Sequence, residues 1–227
     1  MMWDKFWSMN KKIIDPIASR YFALSNPVKL TLTNIPKEVE QGLRVPLLPK
    51  FPEKGNKIMR FGRDLLIEAE DAMEVVIGEE FTLMRYGNVM VTAIEKNEEN
   101  GQLHIIGTAN PEGDFKKTKK KITWLANVPD VVHVQMIEFD HLISKAKLEE
   151  GDDFKDHLNV DTRAETEGLG DHGLRICQKD DIIQLERRGF YRVESPYVSK
   201  SRPMVLYMIP DGKAKAMSTL STKLSHR

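Results

Sequence analysis

The sequence holds a single cysteine, Cys177, so no internal disulfide is possible, which fits a reducing compartment. No apolar run approaches the ~18 residues of a membrane span. Trp3 and Asp4 stand where a secretory signal needs a basic start and an apolar core. These absences read as a soluble, cytoplasmic protein with no membrane partner. No two of His104, His133, His141, His157, His172 and His226 have metal-ligand spacing, and Cys177 has no second thiol, so no metal site is expected. The carboxylates Glu149, Glu150, Asp152, Asp153 and Asp156 read as a solvated loop. Gly168-Leu169-Gly170-Asp171-His172-Gly173 fits GxGxxG, but a polar stretch precedes it and no long helix follows, so it reads as a glycine-rich turn. No catalytic residues and no cofactor site emerge.

What is present is charge in blocks, although the net charge is zero. Residues 1–63 hold 12 Lys/Arg against 5 Asp/Glu, and residues 182–227 hold 9 against 3. Between them, 64–100 hold 2 against 10 and 122–181 hold 6 against 14, with 101–121 basic at 5 against 2. If both ends share one body, that body attracts a polyanion despite a neutral isoelectric point.

Length allows one large domain or two small ones. Trp3, Phe6, Trp7, Asn10 and Ile13/Ile14 recur at helical spacing, and Pro16 stops that helix. Beyond it the chain reads as strands. Val28–Thr33 alternates strictly. Leu65–Ile67, Phe81–Met84, Val89–Ile94, Leu103–Ile106, Lys121–Leu125, Val131–Phe139, Ile182–Glu186, Phe190–Glu194 and Met204–Ile209 follow. Residues 68–73 read as a helical turn, and Asn100-Gly101 as a hairpin. Residues 36–57, with four prolines, read as an extended or looping connection, and 145–181 are acidic and glycine-containing with no clear period. Many short strands with frequent turns point to barrels or sandwiches. The tail from Lys213 has few apolar anchors.

Two motifs carry the chemistry of RNA binding. Lys116, Lys117, Lys119, Lys120 and Lys121 crowd six residues, and lysine rows contact phosphates without reading bases. Gln184, then Arg187-Arg188-Gly189-Phe190-Tyr191-Arg192, combines an amide, guanidinium groups and aromatics, the set that reads unstacked bases. Arg20-Tyr21 and Arg85-Tyr86 sit at strand ends, and Tyr21 is a candidate for stacking on a flipped base.

Several runs together resemble one family. Lys5–Tyr21, with its aromatic helix, Asn10-Lys11-Lys12, Asp15-Pro16 and Arg20-Tyr21, resembles the junction where the catalytic half of eukaryotic and archaeal-type glutamyl-tRNA synthetases meets the anticodon-binding half. Arg20–Leu30, Gly78–Leu83 with Gly87-Asn88, Lys119–Ala126 and Gln184–Tyr191 resemble, in order, strands of that anticodon-binding region. Ile122-Thr123-Trp124-Leu125-Ala126 after lysines leans to the glutamyl rather than the glutaminyl branch. Ser199-Lys200-Ser201 is superficially similar to the Lys-Met-Ser-Lys-Ser loop of class I synthetases but lacks its leading Lys-Met, and no His-Ile-Gly-His run is present.

The resemblance implies a mainly all-β chain: two tandem six-stranded antiparallel β-barrels, the distal inserted into the proximal, preceded by an N-terminal helix. It implies 1–20 as the terminal helix of a connecting bundle, 21–78 and 145–217 as the proximal barrel, 79–144 as the distal barrel and 218–227 as a tail. It also implies binding of the tRNA-Glu anticodon stem-loop. Arg20 and Gln184 would read one base and Arg85 a neighbouring one, with Arg187 and Arg188 as further donors. ATP and magnesium would belong to a catalytic domain of the same enzyme, and this chain alone would be inactive. The alternatives are a glutaminyl-tRNA synthetase fragment, or a non-catalytic β-barrel module that binds a protein through its apolar helix.

Overall fold

The computed structural model describes residues 3–37, 40–98, 101–145 and 147–211; the expected tail and Asn100 of the hairpin lie outside them. Helix α1 spans Trp3–Ile14 and ends just before Asp15-Pro16, as proline's steric demand requires, with Lys11 and Lys12 in its last turn. Strands follow: β1 Ser19–Tyr21, β2 Ala23–Leu24, β3 Pro27–Leu32, β4 Glu40–Pro46, β5 Asn56–Gly62 and β6 Asp64–Glu68. After the short helix α2, Ala69–Glu74, come β7 Glu80–Leu83, β8 Gly87–Lys96, β9 Leu103–Asn110, β10 Lys121–Ile122 and β11 Trp124–Ala126. The last strands are β12 Val132–Phe139, β13 Arg163–Gly170, β14 Ile182–Leu185, β15 Gly189–Ser195 and β16 Met204–Ile209. No helix among the described residues is long and apolar enough to cross a membrane.

Fourteen of these strands form two sheets, β1-β14-β15-β16-β12-β13-β2 and β10-β7-β8-β9-β3-β6-β11, and β4 and β5 pair on their own. In each, the two outermost segments are one stretch of chain. β1 and β2 are separated only by Phe22, and β10 and β11 only by Thr123. One run therefore borders both edges of its sheet, and each sheet curls round into a barrel of six runs. Closure in this way removes the exposed edges that invite aggregation.

Strand pairing corrects three expectations. β3 pairs with β9 and β6 with β11, so the inserted barrel comprises 27–126 rather than 79–144. The outer barrel comprises 19–24 and 132–209. Alternation in 28–33 shows that a strand is half-buried, not which sheet takes it. The second correction is direction: β1–β14, β12–β16, β3–β9 and β7–β10 are parallel pairs, because an inserted chain returns beside strands it is not hairpinned to. The third concerns strands within or running out of stretches read as connections. β4 and β5 form a two-stranded ribbon, Pro46 stands at the end of β4, and the other prolines lie outside both strands. β13 is mostly polar on its solvent side. Its Gly168 lies so close to β2 that a Cβ there would sit 2.6 Å from the Leu24 carbonyl oxygen. The glycine run is therefore strand plus a short 3-10 turn, His172–Ile176.

Each barrel has its own core. The inserted barrel is filled by β-branched and aliphatic residues around Trp124, whose Nε1 donates to the Met84 carbonyl at 2.9 Å. Phe61 stacks on Tyr86 with ring centroids 4.1 Å apart. The outer barrel packs Tyr21, Val134, Met136, Ile183, Leu185, Tyr191 and Leu206. Burial pushes the Cys177 thiol there up to about 11, so it is unreactive at neutral pH.

The β4–β5 ribbon fastens the barrels together. Met59 and Phe61 belong to the inserted core, Leu47 packs on the outer one, and the Leu47 carbonyl accepts from the Arg20 amide at 2.8 Å. Lys57 reaches the outer barrel and donates to Asp171 Oδ2 at 2.5 Å, with both side chains 4 % exposed. Asp171 also accepts from the amides of Phe22 and Gly173, each at 2.9 Å. The ammonium lies 4.6 Å from the centre of the Tyr21 ring. Removing one partner of such a pair strands the other charge in the interior. Lys57→Met should therefore cost about 3–5 kcal/mol in urea unfolding; a loss below about 1 kcal/mol would show that the pair is not a structural anchor.

Candidate nucleic-acid interface

β1 runs parallel to β14 with Arg20 opposite Gln184, and Gln184 is opposite Phe190 on β15. Residues in register share a face, so Arg20, Gln184 and Phe190 form one row on the outside of the outer barrel. Alternation sends Tyr21 inward. The end of α1 lies over this row, with Ile14 and Ala18 packed on Phe190. Arg20 is held from two sides: its Nη2 donates to Asp15 Oδ1 at 2.6 Å and to the Asp15 carbonyl at 3.2 Å, and its guanidinium sits 5.7 Å from the Phe190 centroid. The hydrogen bond from Arg20 holds the Asp15 carboxyl below the usual carboxylate range. Arg20 Nη1 is buried with no partner. Beside it, the half-exposed Gln184 amide makes no side-chain hydrogen bond among the described residues. The row thus carries an amide with both donor and acceptor beside a guanidinium that is held by Asp15 and 11 % exposed.

Tyr21 is a correction. Its side chain is 2 % exposed inside the outer barrel, and no base can stack on it. The alternation that brings Arg20 to the surface is what buries it.

Arg85, Arg187 and Arg188 occupy a different place, the joint between the barrels. The β7–β8 and β14–β15 hairpins have matching three-residue turns, closed by Leu83 opposite Gly87 and Leu185 opposite Gly189. Each carries an arginine in the left-handed region, Arg85 at φ 72° and Arg187 at φ 70°. The tips meet through Arg85 Nη2 and Glu186 Oε1 at 2.5 Å. Arg187 grips Asp71 of α2 bidentately at 2.6 and 2.7 Å. Arg188 donates to the Ala23 carbonyl, Ser25 Oγ and Glu68 Oε2 at 3.0, 2.7 and 2.5 Å. All three guanidinium groups are thus engaged in holding the barrels together.

Glu68 sits at the corner where the chain passes from one barrel to the other. Burial alone would raise its carboxyl, but the Asn26 and Ser25 amides and the Arg188 guanidinium outweigh burial and hold it low. This corner, like Asp15, was not singled out from sequence; a glutamate closing a strand that reads as apolar was its one signal.

The five lysines divide. Lys116, Lys117 and Lys119 are exposed and make no ion pair among the described residues. Lys120 donates to both Glu79 oxygens and to the Glu74 carbonyl, each at 2.7 Å. Lys121 Nζ lies 2.5 Å from the Thr118 carbonyl and hydroxyl oxygens.

Two nearly closed barrels, a ribbon between them and a polar row on one outer face make up the architecture. A family model described as "tRNA synthetases class I (E and Q), anti-codon binding domain" matches residues 18–109, and a second of the same description matches 121–194. The chain belongs to that family of anticodon-binding domains. It is similar to the cytoplasmic glutamate–tRNA ligase of Arabidopsis thaliana, 42 % identical over 94 % of this chain and 30 % of that protein. The cytoplasmic glutamate–tRNA ligase of Saccharomyces cerevisiae is 40 % identical over 93 % of this chain and 29 % of its own length. The bifunctional glutamate/proline–tRNA ligase of Cricetulus griseus is 39 % identical over 98 % of this chain and 15 % of its length. The chain thus spans under a third of the relatives it matches.

The depressed Glu68 carboxyl gives a pH dependence. Its stabilisation is complete above the ordinary carboxylate value and is lost as pH falls through the lower folded value. Urea midpoints measured downward from about pH 6 should fall more steeply for the native chain than for Glu68→Gln; parallel curves would contradict the assignment.

Proposed function

We propose that this chain is the anticodon-binding part of a cytoplasmic glutamate–tRNA ligase and that it takes the anticodon stem-loop of tRNA-Glu. The parent enzyme would join glutamate to the tRNA with ATP and magnesium in a separate catalytic domain. The observation that carries the reading is the Arg20–Gln184 row, set in a chain about 40 % identical to named glutamate–tRNA ligases along nearly all its length. In this reading the Arg20 guanidinium, turning out from Asp15, and the Gln184 amide share one unstacked base. Arg85, Arg187 and Arg188 would reach RNA only by leaving their carboxylates, so they act first as the frame that sets the spacing of the contacts. Lys116, Lys117 and Lys119 are the free phosphate contacts, with Lys120 and Lys121 behind them. The exposed apolar residues Phe6, Met9 and Ile13 of α1, with Ile17 just beyond it, suit a helical-bundle domain of the same enzyme.

Arg20→Ala should weaken binding of the tRNA-Glu anticodon stem-loop more than that of a scrambled-anticodon control, measured by fluorescence anisotropy. Equal losses would reduce Arg20 to a phosphate contact, and native preference for a glutamine anticodon would move the chain to the glutaminyl branch. The salt dependence isolates the lysines. Changing Lys116, Lys117 and Lys119 together to alanine should flatten the slope of log K against log salt by about 2, at ~0.7 per single-strand phosphate. An unchanged slope would remove them from the interface.

A further inference from the structure

We propose that Phe115 is a stacking platform for a second nucleobase of the bound RNA, distinct from the one beside Arg20 and Gln184. This rests on the anticodon-loop reading above. The ring is 57 % exposed, and it directly precedes the free lysines Lys116 and Lys117, with Lys119 two residues further on. The backbone of the turn that carries the ring is fixed by hydrogen bonds. The Asp114 carboxylate accepts from the Lys116 amide at 2.9 Å, and its carbonyl accepts from the Lys117 amide at 3.1 Å. Buried Thr118 sets its hydroxyl 3.0 Å from the Phe115 carbonyl and 2.5 Å from the Thr82 hydroxyl in β7. The platform is therefore pre-organised, which lowers the entropy lost on binding.

Its position makes it a separate subsite. β10 runs parallel to β7, so the turn before β10 lies at the Glu80 end of β7. The joint with the outer barrel lies at the Leu83 end, through Arg85 and Glu186, about 13 Å along a four-residue strand. The other exposed phenylalanines of the strand region are poorer candidates. Phe139 and Phe154 stand in the acidic segment, and the Lys54 ammonium sits 5.3 Å from the Phe51 centroid. Residues 110–120 also fall between the two family matches, so the turn is outside the stretch those models describe. An aromatic face beside unpaired ammonium groups is the composition that binds single strands by stacking plus phosphate contact.

Binding of the tRNA-Glu anticodon stem-loop by Phe115→Ala, Phe115→Leu and Phe115→Trp tests this. Alanine and leucine should each weaken binding about 5- to 100-fold, and tryptophan should retain it. All three should melt with the native chain, because the ring is exposed. Abasic substitutions along the loop should identify one nucleotide whose removal weakens the native chain but not Phe115→Leu. Native affinity for the leucine variant would overturn stacking in favour of simple apolar contact, and native affinity for all three would remove Phe115 from the interface. In either case a persisting anticodon preference lost in Arg20→Ala would leave the anticodon reading standing. Failure of that preference in the native chain would bring down the reading itself.

Discussion

The buried Lys57–Asp171 pair is the point on which both barrels turn. Asp171 lies where the run 19–24 breaks at Phe22 to serve both edges of the outer barrel, and its carboxylate takes the Phe22 amide. The Phe22 carbonyl in turn accepts from the Asp171 amide at 3.0 Å. Lys57 belongs to the ribbon that completes the inserted core. One ion pair thus ties the seam of one barrel to an arm of the other. The pair is fully desolvated, so it tolerates no half measure: with both partners it is satisfied, and with one it strands a charge. The same ribbon holds the Arg20 backbone through Leu47, so the Arg20–Gln184 row depends on it as well.

A second set of contacts fixes the angle between the barrels. The matched hairpin turns place Arg85 and Arg187 in a conformation that costs about 1–2 kcal/mol for a residue with a side chain. The ion pairs to Glu186 and Asp71 hold them there. This sorts the basic residues by role. Arginines at the joint are engaged in the frame, whereas Arg20 Nη1, the Gln184 amide and the exposed Lys116, Lys117 and Lys119 keep unmet hydrogen-bonding capacity among the described residues. An RNA loop touching both regions would be measured against a fixed spacing, as recognition of splayed single strands requires.

Much of this was legible in the sequence. Strict alternation at 28–33 and apolar runs at 121–125 and 182–186 gave strands where the structure has them, and Asp15-Pro16 ended the first helix. The family resemblance gave two barrels with one inserted in the other. What escaped was pairing between distant parts of the chain. Alternation cannot say that β3 lies against β9, seventy residues on, so the barrel boundaries moved. The polar β13 is a strand because its glycines let β2 approach, which no periodicity reveals. Tyr21 beside Arg20 read as a stacking platform for a base, yet neighbours on a strand face opposite ways. Arg187 and Arg188 looked free because their acidic partners, Asp71 and Glu68, are more than a hundred residues earlier.

The central claim is that Arg20 is held ready for a base while the joint arginines stay locked in the frame. Side-chain NMR of the arginine Nε–H groups during titration with the tRNA-Glu anticodon stem-loop tests it directly. The Arg20 resonance should shift strongly and saturate with the binding curve, while those of Arg85, Arg187 and Arg188 keep their positions. Large shifts of the joint arginines with Arg20 unmoved would contradict the account.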